Sequence, residues 1–391
     1  MLSRTDPALP GFEADSETAD TGRSMLAGML PSQGIRTLIE RRQVRAEIEV
    51  EPAQIQPASL DLRLGRVAYR VRASFLPGKG ATVAEKLAET SLYELPLEGG
   101  AVLEKGCVYL VPVEEMLALP DSISALANPK SSTGRLDVFT RLIADRSDSF
   151  DAVPKGYRGQ LYVEVSPRTF SIRVRRGTRL NQLRFRRLNS QHLAHHAFRI
   201  SDRELAELHQ RSPLVDEPPI IREGLNIRVN LRADAGEGLV GYRALRHTGV
   251  IDLDQVGAYD RRQFWEPIIV PHDGRLILEP NDFYILASRE RLHIPNGYAA
   301  EMVPFDPMMG EFRVHYAGFF DPGFGWSAAG APGSRAVLEV RSHDVPFILE
   351  DGQTIGRLMF ERLTEAPAVP YGQGLGSNYQ GQGLKLSKHF R

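Results

Sequence analysis

Apolar positions along this 391-residue chain alternate more often than they recur at helical spacing. Leu60, Leu62 and Leu64 stand at every second residue before Gly65, the pattern of a strand with one buried face. More short apolar runs follow, broken at Pro77-Gly78, Gly99-Gly100 and Lys105-Gly106, and no long helical pattern appears between 47 and 190. Leu225, Ile227, Val229 and Leu231 alternate again. Helical spacing is confined to short stretches. Ser32 precedes Ile35, Leu38 and Ile39, an i, i+3, i+4 set with Arg and Glu around it. Ser201-Asp202-Arg203-Glu204 has the form of a capping box, leads into Leu205 and Leu208, and stops at Ser212-Pro213. The pattern predicts a mainly β chain with a few short helices.

The same pattern occurs twice. Val102-Leu103-Glu104, Tyr109-Leu110, Glu115, Leu117 and Pro120 recur as Ile277-Leu278-Glu279, Tyr284-Ile285, Glu290, Leu292 and Pro295, at an offset of 278 − 103 = 175. Tyr162-Val163-Glu164-Val165 maps at that offset on Val337-Leu338-Glu339-Val340, and Gly177 and Phe185 map on Gly352 and Phe360. A constant offset over such a span indicates two copies of one β-rich domain, with a period far too long for a solenoid. The opening strand of the second copy departs from the offset, so early loops differ in length. The expected organisation is a poorly ordered arm over 1–28, rich in Asp, Glu, Ser, Thr and Gly, and a first copy over 29–190. A helical connector over 191–218, a second copy over 219–365 and a Gly-rich tail over 366–391 complete it. His192, His195 and His196 lie in the connector without a partner Cys or acidic ligand pattern and read as a solvated linker.

Composition narrows the function classes. Hydrophobic residues make up 42% and charged residues 25%, as in a soluble globular protein. The net charge of −1 gives no general pull toward nucleic acid or anionic membrane, so any anion must be held by local cations. No apolar run approaches the roughly 20 residues that span a bilayer, and the start lacks a basic segment followed by an apolar core. The single cysteine, Cys107, excludes an intrachain disulfide, sits in an apolar strand-like run and suits a cytoplasmic setting.

Against this scaffold, Pro129-Lys130-Ser131-Ser132-Thr133-Gly134-Arg135 stands out, with three hydroxyls, two cations and a permissive Gly in seven residues. Hydroxyls and backbone N–H groups bond phosphate oxygens while Lys and Arg neutralise them, so the stretch reads either as a polyphosphate grip or as a solvated turn before a helix. At the repeat offset Lys130-Ser131-Ser132 is replaced by Phe305-Asp306-Pro307, so the fold itself does not require the motif. The second copy has its own feature, Tyr316-Ala317-Gly318-Phe319-Phe320-Asp321-Pro322-Gly323-Phe324-Gly325-Trp326. Five aromatics around an Asp-Pro-Gly turn can receive a flat ring or pack on their own domain. Glu339 lies among strand apolars; facing a pocket, it would have its pKa raised by desolvation and suit proton transfer. Tyr371 to Gly383 is Gly-rich and aromatic, either a lid that orders on a ligand or a disordered end.

Together these residues resemble the dCTP deaminase family of the trimeric dUTPase-like superfamily. Ile55 to Gly65 looks like the family's N-terminal strand, and Lys130-Ser131-Ser132-Thr133-Gly134-Arg135 like its triphosphate motif, usually written with Arg where Lys130 stands. Ala317 to Phe324 is similar to the nucleoside-binding hairpin, Glu339 falls on the catalytic glutamate, and Tyr371 with Tyr379 and Gln382 resembles the closing tail. The resemblance implies two tandem dUTPase-like barrels of β-clip or distorted jelly-roll type, with a flexible C-terminal tail. It implies hydrolysis of dCTP to dUTP and ammonia, with Glu339 as general base and then acid and Glu164 as second choice. Lys130, Ser131, Ser132, Thr133, Gly134 and Arg135 would bind phosphates. Ala317, Asp321, Val337, Leu338, Tyr371, Asn378 and Gln382 would bind the rest of the substrate. Mg²⁺ would ride on the triphosphate without a protein cage. The zinc route of many nucleobase deaminases lacks its residues here, since one cysteine cannot form a paired Cys site. Alternatives are a dUTP diphosphatase or a bifunctional enzyme, with Asp321 or Asp151 orienting a water, and a non-catalytic nucleotide-binding scaffold. The family implies homo-oligomers around threefold axes, a trimer first and a dimer second, with sites between neighbouring barrels. Whether those barrels belong to one chain stays open at this level. Three departures stand out. Phe319 occupies a position where some members have Arg, so the role of that Arg is either dropped or taken by another residue, with Arg141 and Arg146 as candidates. Asn378 stands where the tail usually has Lys. The first copy keeps Glu164, but Asp145 to Asp151 matches the hairpin poorly.

Overall fold

A computed structural model describes residues 27–188, 198–232, 238–269, 273–304, 312–314, 318–326, 333–342, 344–372 and 379–391. Residues 1–26 of the expected arm, the connector histidines, Phe305-Asp306-Pro307, Ala317 and Asn378 lie outside the described residues. In the first copy, one sheet runs in the order Gly28–Met29, Arg179–Arg187, Ile123–Pro129, Ala152–Val153, with Leu60–Arg63 also paired to Arg179–Arg187. A second runs Ser91–Pro96, Val67–Val71, Val108–Ala118, Arg158–Pro167, Val138–Ala144. The second copy repeats the order of the second sheet and the core of the first, in which Leu225–Arg228, Thr354–Arg362 and Tyr298–Pro304 correspond to Leu60–Arg63, Arg179–Arg187 and Ile123–Pro129. One sheet runs Leu225–Arg228, Thr354–Arg362, Tyr298–Pro304, Phe319–Phe320, and the other runs Trp265–Ile269, Leu239–Ala244, Phe283–Leu292, Ser334–Ser342, Phe312–Val314. The register repeats too: Glu164 pairs with Leu110 and Glu339 with Ile285, both members displaced by 175.

The alternation explains which faces are buried. Leu60, Leu62 and Leu64 lie in one core with Val111, Leu183 and Phe185, and Leu225, Ile227, Val229 and Leu231 lie in another with Leu338, Leu358 and Phe360. The first core also takes Trp265, Phe283, Ile285 and Val337 from the second copy, so the copies share apolar packing. Ile251–Asp252 of the second copy adds a parallel strand to Ile172–Val174 of the first. The helices Ser32–Glu40 and Asp202–Arg211 form where the spacing predicts them, the latter with its Ser201–Glu204 capping box closed. An eight-residue helix, Val83–Thr90, also forms within the stretch without a long helical pattern; Thr82 and Glu85 cap each other, and Val83 and Leu87 bury its apolar side.

Candidate active site

The strand Ile123–Pro129 ends at a proline, and the chain then makes one helical turn, Ser131–Gly134. Thr133 and Gly134 donate their N–H groups to the Lys130 carbonyl at 2.8 and 3.0 Å. The turn presents Lys130, Ser131, Ser132, Gly134 and Arg135 to a cavity of about 280 Å³. The opposite wall belongs to the second copy: Gly318, Phe319, Phe320, Asp321 and Phe324 of the aromatic hairpin, Val337 and Glu339 of the buried strand Ser334–Ser342, and Tyr371, Tyr379, Gln382 and Lys388. The two copies of one chain therefore line one cavity together. Strand alternation separates Leu338 from this group: it is fully buried in the second core while its neighbours line the cavity. Thr133 lines an adjacent cavity instead.

Glu339 is a buried carboxyl at the cavity. Burial pushes it up to about 8, the attraction of Arg135 opposing and the charge of Asp137 adding. Asp137 is itself held by Arg341 and by the Thr169 hydroxyl at 2.6 Å. Arg135 is fixed by three contacts. Its guanidinium lies 3.9 Å from the Tyr379 ring centroid and donates to the Gln382 side-chain oxygen at 3.1 Å and the Lys385 carbonyl at 2.8 Å. Glu164, at the equivalent register of the first copy, accepts two hydrogen bonds from Arg141 at 3.0 and 2.6 Å and does not line the cavity. Asp151 is likewise remote: its carboxylate accepts the Leu142 N–H at 2.7 Å in the first copy. Only Asp321 of the two candidate water-orienting aspartates reaches the cavity.

The hairpin is positioned by a residue that sequence reasoning missed. Arg184, buried on the first copy's strand Arg179–Arg187, stacks 3.9 Å from the Phe319 ring centroid. It also donates to Asp321 and to the Ala300 carbonyl, both at 3.0 Å. Burial drives Asp321 up and Arg184 down, each opposed by the other's charge. Arg141 and Arg146 do not supply this contact: Arg141 is engaged with Glu164 and Phe150, and Arg146 is exposed. The turn needs its glycines, since a Cβ on Gly325, at φ +71°, would meet the Leu292 carbonyl at 1.8 Å. The tail closes over the hairpin. Gln380 bonds the Gly325 N–H at 3.0 Å and the Trp326 carbonyl at 2.8 Å, and Gln382 exchanges backbone and side-chain bonds with Arg335, both at 3.0 Å.

The wall formed by the Lys130–Arg135 turn is cationic. Lys130 is ion-paired with buried Asp61, whose other oxygen has no hydrogen-bond partner among the described residues. Arg179 pairs with Glu51 and Lys388 stands nearby. Asp61 lies within the Ile55–Gly65 stretch, where only the apolar alternation stood out, and Lys388, 258 residues from Lys130, carried no motif signal. Among the described residues no group of three His, Cys, Asp or Glu side chains could hold a metal ion.

Two family models cover most of the chain: 2′-deoxycytidine 5′-triphosphate deaminase N-terminal domain over residues 26–189 and C-terminal domain over residues 201–390. The crystal structure of 2′-deoxycytidine 5′-triphosphate deaminase from Agrobacterium tumefaciens is similar with TM-score 0.82 and 53% identity, over 86% of this chain and 99% of that one. Among curated proteins, "dCTP deaminase, dUMP-forming" of Pseudarthrobacter chlorophenolicus is 32% identical over 162 residues, 39% of this chain and 81% of the relative. "dCTP deaminase" of Haloarcula marismortui is 31% identical over 159 residues, 39% of this chain and 78% of the relative. The expected dUTPase-like, mainly β architecture agrees with these similarities.

Proposed function

The chain belongs to the 2′-deoxycytidine 5′-triphosphate deaminase family, and from that premise we propose that it hydrolyses dCTP to dUTP and ammonia at the cavity between its two copies. The observation that carries this reading is the placement of Glu339. It is a buried carboxyl with its proton affinity raised to about 8, facing a cavity whose other wall is the Lys130–Arg135 turn. In this reading the triphosphate lies on Lys130, Ser131, Ser132 and Arg135, and the cytosine enters the aromatic hairpin beside Val337 and Asp321.

The chemistry requires water to add at C4 and the amine to leave. Glu339 takes a proton from the attacking water, and C4 becomes tetrahedral. The same carboxyl then returns the proton to the ring or amine, the C4–N bond breaks, and ammonia departs. Burial of Glu339 strengthens the field that Arg135 exerts on its carboxylate. Magnesium fits as an ion borne on the triphosphate, neutralising its charge. The unpartnered Asp61 oxygen could hold one of the ion's waters.

A second reading rests on the name of some relatives, dUMP-forming, and on Asp321 at the cavity. In it, a water attacks the α-phosphate after deamination. One experiment decides: incubation with dCTP and Mg²⁺, with ammonia assayed and nucleotides separated by chromatography. Ammonia with dUTP is expected. Ammonia with dUMP and pyrophosphate makes the enzyme bifunctional, and absence of ammonia overturns both.

A further inference from the structure

We propose that Lys388, three residues from the end of the sequence, is a ligand of the outermost phosphate of the nucleoside triphosphate, and that the cavity beside the main one is the pocket which that phosphate enters. The inference rests on the proposed dCTP-binding function and extends it to a part of the chain that no motif marks. The second cavity, about 260 Å³, shares Asp61, Lys130, Ser132, Arg179 and Lys388 with the first, so Lys388 stands on the wall common to both.

The placement of Lys388 is built by its neighbours. Ser387 donates its hydroxyl to the Ser132 carbonyl of the phosphate turn at 2.8 Å. His389 is buried, with one ring nitrogen 2.9 Å from the Ser387 hydroxyl and the other 3.2 Å from the Leu253 carbonyl. Phe390 packs 5.4 Å from Phe264 and 5.9 Å from Trp265, ring centroid to centroid. Backbone bonds from Gly257 to the Lys388 carbonyl and from Tyr259 to the His389 carbonyl, at 3.0 and 3.1 Å, fasten the strap to the second copy. The residues on each side of Lys388 are thus tied down.

Among the described residues no side chain or carbonyl forms a hydrogen bond or ion pair with the Lys388 ammonium, and the residue is partly buried. Burial and the nearby Lys130 push its proton affinity down, with the charges of Asp61 and of Asp254, which lines the second cavity, opposing. The one carboxylate at the wall common to both cavities, Asp61, is already paired with Lys130. A half-buried cation beside a second cation costs free energy unless an anion joins them. A phosphate carrying two charges relieves both, and a strap pinned through Ser387 to the phosphate turn holds the geometry for it.

The test compares wild type, Lys388→Met and Lys388→Arg for dCTP kinetics, and for competition by inorganic tripolyphosphate and by dCMP. Loss of one charge-assisted phosphate bond should raise KM for dCTP and the inhibition constant of tripolyphosphate about ten- to a hundredfold. It should leave kcat within about threefold and dCMP inhibition unchanged, with Lys388→Arg restoring most of the loss. An unaltered KM and tripolyphosphate constant in a folded Lys388→Met protein overturns the assignment while ammonia release leaves the function intact. Equal weakening of dCMP and dCTP also overturns it, because it would mean a general disturbance of the site. If wild type released no ammonia, direct calorimetry of tripolyphosphate binding would still decide on Lys388: weakening in the variant supports it, and equal affinity overturns it.

Discussion

Arg186 donates to Glu361 across the junction of the two copies, its Nε lying 3.2 Å from one carboxylate oxygen and an Nη closing on the other. The two residues are 175 apart, the offset of the repeat, so the same position of each copy faces its counterpart with opposite charge. Identical single-copy subunits could not pair Arg with Glu at one position. Fusion of two copies into one chain lets the positions diverge and fixes which copy supplies each wall of the cavity.

Both side chains are nearly fully buried. Glu361→Ala would strand the Arg186 guanidinium and should cost about 3–5 kcal/mol in urea denaturation. The double change Arg186→Met with Glu361→Leu should recover most of that stability. Recovery in the double variant identifies an uncompensated charge as the cause; equal loss in both would refute it and point to shape.

Glu339→Gln keeps the size of the side chain and removes its proton transfer. Ammonia release should fall by about 10²–10⁴, with dCTP still binding to the cavity in calorimetry. Glu164→Gln, whose native carboxylate is locked to Arg141, should keep its turnover and lose only stability. Full activity in Glu339→Gln would remove the proposed mechanism.

The high proton affinity of Glu339 sets the pH dependence. A general base works as carboxylate, so with its pKa at about 8, kcat/KM should drop about tenfold per unit below that pH. The sign for stability is opposite to that of an ion-paired acid. The group is neutral in the fold and ionises near 4.5 when unfolded. Stability is therefore fully present below about 4.5 and is lost as pH rises toward about 8, after which this group contributes no further change. Glu339→Gln should flatten that part of a stability–pH curve. An unchanged curve would assign the slope to another group.

Much of this arrangement was legible in the sequence because it is written in local pattern. Alternation at Leu60–Leu64 and Leu225–Leu231 marked buried faces, and the offset of 175 marked two copies of one β-rich domain. The Lys130–Arg135 turn and Glu339 were visible because each combines unusual residue types in a short window. Arg184, Asp61 and Lys388 were not visible. Each is a single charged residue whose meaning comes from neighbours far away in sequence: Asp321 for Arg184, Lys130 for Asp61, and the walls of two adjoining cavities for Lys388. The helix Val83–Thr90 was missed because eight residues with two buried apolars give too little periodicity. The end of the tail carries too few apolar residues for its composition to reveal that Phe390 anchors it among Phe264, Trp265 and Tyr259.

Arg184 offers the sharpest test of the way in which the two copies share one site. It belongs to the first copy, yet its guanidinium holds the second copy's hairpin through Asp321, the Ala300 carbonyl and the Phe319 ring. Arg184→Met should leave Asp321 buried without its cation and lower stability by about 3–5 kcal/mol. Because the hairpin faces the cavity rather than the proton-transferring group, KM for dCTP should rise more than kcat falls. Lysine lacks the planar fork that bonds carbonyl and carboxylate through separate nitrogens while stacking on the ring, so Arg184→Lys should recover little. Adding Asp321→Asn to Arg184→Met removes the stranded charge and should restore stability without restoring KM. Restoration of both by the double variant would mean that the pair serves only the fold, and that the nucleoside is held by other residues.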